Sequence, residues 1–395
     1  MSGRDRAEIA GAAGDALERA GASGLGACPA LVGFDGFVDS IIRVVDRRRS
    51  MEGEDFERIG TIAEFAGRCA AAAGRSTNME LWVDEDRFGG NGPLTAGALG
   101  RLGVPVCFIG AVGREEEPAR IAPIYEPFAA WCREVVSVAA PGHTDALEFE
   151  DGKIMLGKTR NVQAVTWERI VAAVGVEGLR RRAEDASLIV MVNWSLCGGA
   201  PGIWEGLIGE VFPALAAHPL GRRVLIDISD PAKRTDEDLR RALELMAGMN
   251  ALVPVTLGLN LAEGERMARV LGVPSVRESA TYGEFVVRLA SGVRERAGLS
   301  CVVVHVREGA AGATDDGTTA WFDGPFTARP RLSTGAGDHF NAGFGLAQTL
   351  GLALDESLAA GCAVSGAYVR DAASPTAERL VGFLRELPQP DRPGA

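Results

Sequence analysis

Short runs that are apolar at nearly every position constrain this chain more than any other feature. They lie at 30–34, 106–112, 188–192, 224–228, 251–255 and 301–306, and none shows the alternation of a half-exposed strand. Such runs suit strands that are covered on both faces. Between them lie stretches with helical spacing near 92–102, 117–134, 167–184, 203–217, 235–248, 260–271 and 281–297. That order predicts a parallel sheet with right-handed crossovers and helices on both faces. Further helices are expected near 337–350, 355–370 and 376–386, followed by a Pro-rich, frayed tail from Pro388.

Two regions interrupt the alternation. Residues 47–76 begin with the basic run Arg47-Arg48-Arg49 and continue into an Ala-rich helix from Phe56 to about Ala73, a helical insertion. Residues 143–158 read as a hairpin, with Asp151-Gly152 as the turn between alternating segments. With a strand near 79–83 the hairpin forms a small separate sheet. The chain has 395 residues, 47% hydrophobic and 24% charged, enough to bury a sizeable core. No repeat or low-complexity linker divides it, so one core domain over 1–395 with a small lid from about 77–88 and 143–158 is expected.

The stretch Ser333-Thr334-Gly335-Ala336-Gly337-Asp338 carries the strongest chemical signal. Small residues let the backbone turn tightly, so successive N–H groups face one spot, and the positive end of the helix that follows reinforces it as an anion site. Asp338 stands beside that spot, placed to take a proton from a hydroxyl attacking a bound phosphoryl group. The same residues are also compatible with an ordinary Gly-rich loop entering a helix. Phe88-Gly89-Gly90-Asn91-Gly92-Pro93 precedes another helix and offers a hinge, although this tetrad alone is equally a plain turn. Asp35 and Asp39 follow the first strand, at the carboxyl edge where open α/β sheets bind ligands. Either can hold sugar hydroxyls or cap the next segment.

In sequence order these landmarks resemble the ribokinase (PfkB) family of carbohydrate kinases, from Ala30 to about Leu384. Asp39 matches the acidic residue after the first strand. Gly89-Gly90-Asn91-Gly92 matches the N-terminal signature, Asn260-Leu261-Ala262-Glu263 the Asn-x-x-Glu motif, and Gly309-Ala310-Ala311-Gly312-Ala313 a Gly-x-x-Gly-Ala element. Thr334-Gly335-Ala336-Gly337-Asp338 matches the second signature. The resemblance implies a three-layer α/β/α sandwich with a mostly parallel central sheet and a small β lid. It implies a kinase that transfers the terminal phosphoryl group of ATP to a hydroxyl of a sugar-like molecule. Asp338 would be the base, and the N–H groups of Gly335, Ala336 and Gly337 the anion hole. Asp35, Asp39, Gly89, Gly90 and Asn91 would meet the acceptor, and Asn260, Gly309, Gly312 and Thr334 the nucleotide; apart from the resemblance, Arg160 at the end of the hairpin either reaches an anionic group of the acceptor or is a solvated lid charge. Glu263 would organise Mg2+ and its waters, although the spacing of Asn260 and Glu263 also suits a helix N-cap with its capping-box partner. A homodimer through the lid is also an expectation of the family.

Three departures narrow what carries over. Leu332 replaces the aspartate that opens the second signature, which removes the basis for the family's monovalent-cation site. Leu94 replaces an asparagine that contacts sugar, and 47–76 is longer than the family's connection. Residues 152–159 (Gly-Lys-Ile-Met-Leu-Gly-Lys-Thr) also spell the P-loop pattern, but its middle positions suit a strand, and the true motif needs a strand, a loop and then a helix. A P-loop NTPase, a non-catalytic sugar-binding protein and an ADP-dependent sugar kinase remain as alternatives at this stage.

Charge and cysteine usage set the outer bounds. The net charge of −12 argues against nucleic acid, which needs a basic surface. No apolar run approaches the roughly 18 residues of a membrane span. Seven cysteines without a Cys-x-x-Cys pair read as reduced thiols, hence a cytoplasmic protein.

Overall fold

The computed structural model describes residues 4–274 and 281–391. The stretch 392–395 of the expected tail, together with 1–3, lies outside the described residues. Nine strands form one sheet: β1 (Ala30–Phe34), β5 (Val106–Gly110), β6 (Glu134–Ser137), β9 (Leu188–Val192), β10 (Arg223–Asp227), β11 (Val255–Asn260), β12 (Cys301–His305), β13 (Gly309–Thr314) and β14 (Thr319–Asp323). Their order is β14-β13-β12-β11-β10-β9-β1-β5-β6, parallel from β6 through β12 and antiparallel over the last two. The sheet is mostly parallel because its core strands are buried at nearly every position, which only helices on both faces can provide.

Helices α1 (Arg6–Gly26), α3 (Asn91–Arg101), α11 (Ala336–Thr349), α12 (Leu354–Asp371) and α13 (Ala377–Arg385) share one apolar cluster with the sheet. The opposite face is covered by α5 (Trp167–Val174), α6 (Val176–Asp185), α7 (Ala200–Gly206), α8 (Asp236–Asn250), α9 (Leu261–Leu271) and α10 (Tyr282–Ala297). The result is the expected three-layer sandwich. β1 pairs with β5 on one side and β9 on the other, and strand order runs outward in both directions from there. The carboxyl ends of β1 and β9 therefore bound the crevice where such sheets bind ligands.

A second, five-stranded sheet stands apart as a lid-like layer. It contains β2 (Phe37–Arg48), β3 (Phe56–Arg58), β4 (Leu81–Gly89), β7 (Gly142–Phe149) and β8 (Gly152–Lys158). Its long strand β2 was not legible, because Arg43, Asp46, Arg47 and Arg48 break the apolar pattern, and Arg43, Asp46 and Arg48 form ion pairs on the exposed face. The helix expected from Phe56 begins only at Ile62: Phe56–Arg58 pairs with β2, and α2 (Ile62–Ala71) covers Ile42, Val44, Leu147 and Phe149.

Other expectations need correction. The strand expected at 251–255 starts at Val255, since α8 runs to Asn250. The helix expected over 117–134 shrinks to a short turn, α4 (Glu126–Ala129), before β6, with Pro123 and Pro127 restricting the backbone. The tail is anchored as far as Asp391, where Arg6 holds the Pro388 carbonyl and Asp391 holds Ala328 N.

Candidate active site

The crevice is organised around Asp35. Its side chain is wholly buried, with Oδ2 accepting from Asn91 N at 3.0 Å and from Asn193 Nδ2 at 2.6 Å, and Oδ1 accepting from Gly92 N at 2.6 Å. Burial raises its pKa to about 6, and those donors restrain the rise. The carboxylate ties the ends of β1 and β9 to the start of α3, whose N-cap is Gly90. With both oxygens committed and no exposure, Asp35 positions the Gly90-Asn91-Gly92 turn. It is not placed to meet an acceptor, which corrects the expectation for it.

Asp338 sits in the first turn of α11. Gly335 is the N-cap at φ +88°, a left-handed conformation that costs any other residue, and no side chain caps the helix. By contrast α8, α9 and α10 all start with capping boxes. Of the three proposed donors, Ala336 N is directed at Ser333 O at 3.3 Å; the others belong to a helix start that leaves N–H groups free. The Asp338 carboxylate is buried and accepts from Asn91 Nδ2 at 2.8 Å. Its pKa is raised well above the usual carboxylate range, first by burial and then by the charge of Asp227, while Asn91 opposes the shift.

Two cavities meet above this helix start, and Pro330 and Ser333 line both. The larger, about 770 Å³, is lined by Asn260, His305, Arg307, Gly309, Ala336, Gly337 and Phe340 among others. The smaller, about 530 Å³, lies under the second sheet and is lined by Asp39, Arg87, Glu148, Lys153, Thr334 and Tyr368. Asp39 comes from β2, and its pKa is raised by burial, with Thr144 and the Lys153 charge opposing the shift. Gly89 on the paired strand makes room for it, because a Cβ there would overlap the Asp39 carboxylate.

The structure therefore joins Asp39, Gly89, Gly90, Asn91 and the Gly335-to-Asp338 turn in one region. Gly309 lines the larger cavity. Gly312 does not: a Cβ there would meet Leu354 of α12 at 2.8 Å, so its smallness serves packing. Thr334 lines the smaller cavity rather than the larger, with Oγ1 3.0 Å from Lys153 Nζ. Arg160 is exposed and stands outside both cavities, because β8 ends before it and the chain turns away.

Asn260 and Glu263 form a capping box at α9, with the Asn260 amide also donating to Glu263 Oε1 at 2.7 Å. Glu263 is buried, and its pKa is raised by that burial and by the charges of Asp227 and Asp230. Among the described residues no three His, Cys, Asp or Glu side chains converge as a ready metal cage. The P-loop pattern is settled by β8: Gly152–Lys158 is a strand paired antiparallel with β7, with no helix after a phosphate loop.

Several residues of this site were not singled out for it from sequence. Asp227 ends β10 at the carboxyl edge and accepts from Asn341 Nδ2 at 2.6 Å; an acidic residue closing an apolar strand was its available signal. Lys153 lay inside the P-loop look-alike. Tyr368 donates to Thr334 O at 2.7 Å and stacks on His339, the residue after Asp338, whose Nδ1 meets Gly335 O at 2.7 Å; nothing in the spacing of Tyr368 marks this.

Residues 12–387 match the family model described as prokaryotic ketohexokinase. A ketohexokinase from Haloferax volcanii is 33% identical over 355 residues, covering 89% of this chain and 90% of the relative. The chain belongs to the prokaryotic ketohexokinase family. Among solved structures, Arabidopsis thaliana ribokinase complexed with ribose and ATP aligns with a TM-score of 0.59 at 16% identity, over 91% of this chain and 99% of that one. A Methanocaldococcus jannaschii nucleoside kinase of the ribokinase family aligns at 0.56 and 15% identity, over 91% and 98%. The fold is thus ribokinase-like, and this family member is an ATP-dependent sugar kinase. The NTPase, binding-protein and ADP-dependent readings are not favoured. Among the described residues no helix is long and apolar enough to cross a membrane.

Proposed function

We propose that this kinase phosphorylates a hydroxyl of a ketohexose, with the sugar in the 530 Å³ cavity and ATP in the 770 Å³ cavity. The observation that carries the reading is that the two cavities share Ser333, directly before the uncapped turn that ends in Asp338. Asp39 accepts hydrogen bonds from sugar hydroxyls, and Lys153 orders Thr334 beside it. The second sheet acts as the lid that excludes water from this cavity.

The chemistry follows from positioning and charge neutralisation. The attacking hydroxyl oxygen forms a bond to the γ-phosphorus, the bond from that phosphorus to the β–γ bridging oxygen breaks, and ADP leaves. The hydroxyl proton passes to Asp338. N–H groups at the start of α11 face the charge that develops on the phosphoryl oxygens. Mg2+ suits this site, because it keeps most of its waters and needs few protein carboxylates, and Asp227 and Glu263 present like charges that a cation relieves. Glu263, steadied by Asn260, would hold it, and it would supply charge neutralisation at the phosphates.

The test is a coupled assay of Asp338→Asn on a panel of ketohexoses, aldohexoses and pentoses. Turnover on a ketohexose that collapses in the variant supports the proposal. A wild type that prefers aldohexoses or pentoses would overturn the substrate assignment.

A further inference from the structure

We propose that Ser229 is a positioning residue for the transfer: its hydroxyl holds the Asn91 carboxamide with the NH2 group facing Asp338. This rests on Asp338 being the base. Ser229 follows β10 at φ +56°, one of the few non-glycine residues in the left-handed region. Asp227 Oδ1 holds it there by accepting from Ser229 N at 2.8 Å. From that position Ser229 Oγ donates to Asn91 Oδ1 at 3.1 Å, and Asn91 Nδ2 donates to Asp338 Oδ1 at 2.8 Å. Asp227 Oδ2 meanwhile accepts from Asn341, one turn beyond Asp338 on the same helix. Base, amide, hydroxyl and second carboxylate thus close a ring that begins and ends on α11.

A carboxamide is nearly symmetric in shape, so hydrogen-bond partners alone decide which end faces the base. While Asp338 is ionised, it and Ser229 favour the same orientation. Once Asp338 holds the acceptor proton, its carboxyl can donate as well as accept. The Ser229 hydroxyl holds the carboxamide where its NH2 group reaches the carboxylate, and without it this donor, which opposes the rise of the Asp338 pKa, is less firmly placed. The other groups facing Asp338 are the Asp227 and Asp35 carboxylates and the Tyr368 phenol, with His305 beneath Gly337. None of them bonds to the Asn91 carbonyl.

Ser229→Gly tests this, because glycine accepts the positive φ and removes the hydroxyl together with its Cβ. Loss of one such hydrogen bond is expected to lower kcat by about three- to ten-fold with the KM for ATP unchanged. The acid limb of the kcat–pH profile should move to higher pH. In Asn91→Ala the same substitution should add no further loss. A folded Ser229→Gly enzyme with wild-type kcat and acid limb overturns the inference, as does full additivity with Asn91→Ala. Asp338→Asn separates the two layers: if it stays active, the assignment of the base fails. If it is inactive while Ser229→Gly is unchanged, only the role of Ser229 fails.

Discussion

Asp338→Asn should abolish turnover and raise stability, and the opposite signs come from the same surroundings. The substitution keeps size and shape, and the amide oxygen can still accept from Asn91 Nδ2, now 2.8 Å from Asp338 Oδ1. What it removes is basicity. A positioned base contributes about 100- to 10,000-fold in rate, or about 3 to 5 kcal/mol of barrier. For stability the sign runs the other way. The folded pKa of Asp338 is raised by burial and by Asp227, so the stability linked to its protonated form is complete below the unfolded pKa. That contribution is lost as pH rises through the folded value. Above it, the wild type carries an ionised carboxylate that the fold disfavours and asparagine does not. Thermal melts from about pH 5 to about pH 9 should therefore show the variant gaining on the wild type as pH increases. A variant that turns over normally would refute the role in catalysis. A variant that melts lower than wild type throughout would refute the account of the buried charge.

Asp39→Ala should raise the sugar KM with kcat less affected, read from initial rates, because the hydrogen bonds proposed for it would form on binding, before the transition state. Lys153→Met should do likewise while leaving the ATP KM unchanged, since Lys153 reaches Thr334 and Glu148 in the sugar-side cavity. Gly335→Ala places a Cβ at φ +88°, within 3.1 Å of Leu94 and Tyr368, and should cost about 1–2 kcal/mol in denaturant melts together with most of the activity.

How far the site could be read from sequence depended on whether a residue's role was local. β1 and β9 were placed to the residue because a run buried on both faces has one explanation. Asn260 and Glu263, three apart, could be read as a cap and its partner, and the helix they start is there. β13 was missed because Gly-Ala-Ala-Gly-Ala-Thr has no β-branched residue until Thr314; its strand state comes from pairing with β12 and β14. Lys153, Asp227 and Ser229 act through partners far along the chain, and no spacing rule reports such pairs.

Asp35 shows the same limit in a sharper form. An acidic residue at the carboxyl edge of the first strand invites a ligand-binding role, and two such residues, Asp35 and Asp39, were available. Backbone direction separates them. The turn after β1 sends Asp35 inward, where the N–H groups of Asn91 and Gly92 and the Asn193 amide use both oxygens. β2 then carries Asp39 out to the sugar-side cavity beside Lys153. The buried residue still matters to the chemistry, because its bond to Asn91 N fixes the start of the segment whose side chain reaches Asp338. On the proposed reading one aspartate therefore lines the cavity assigned to the sugar, and the other sets where the partner of Asp338 stands.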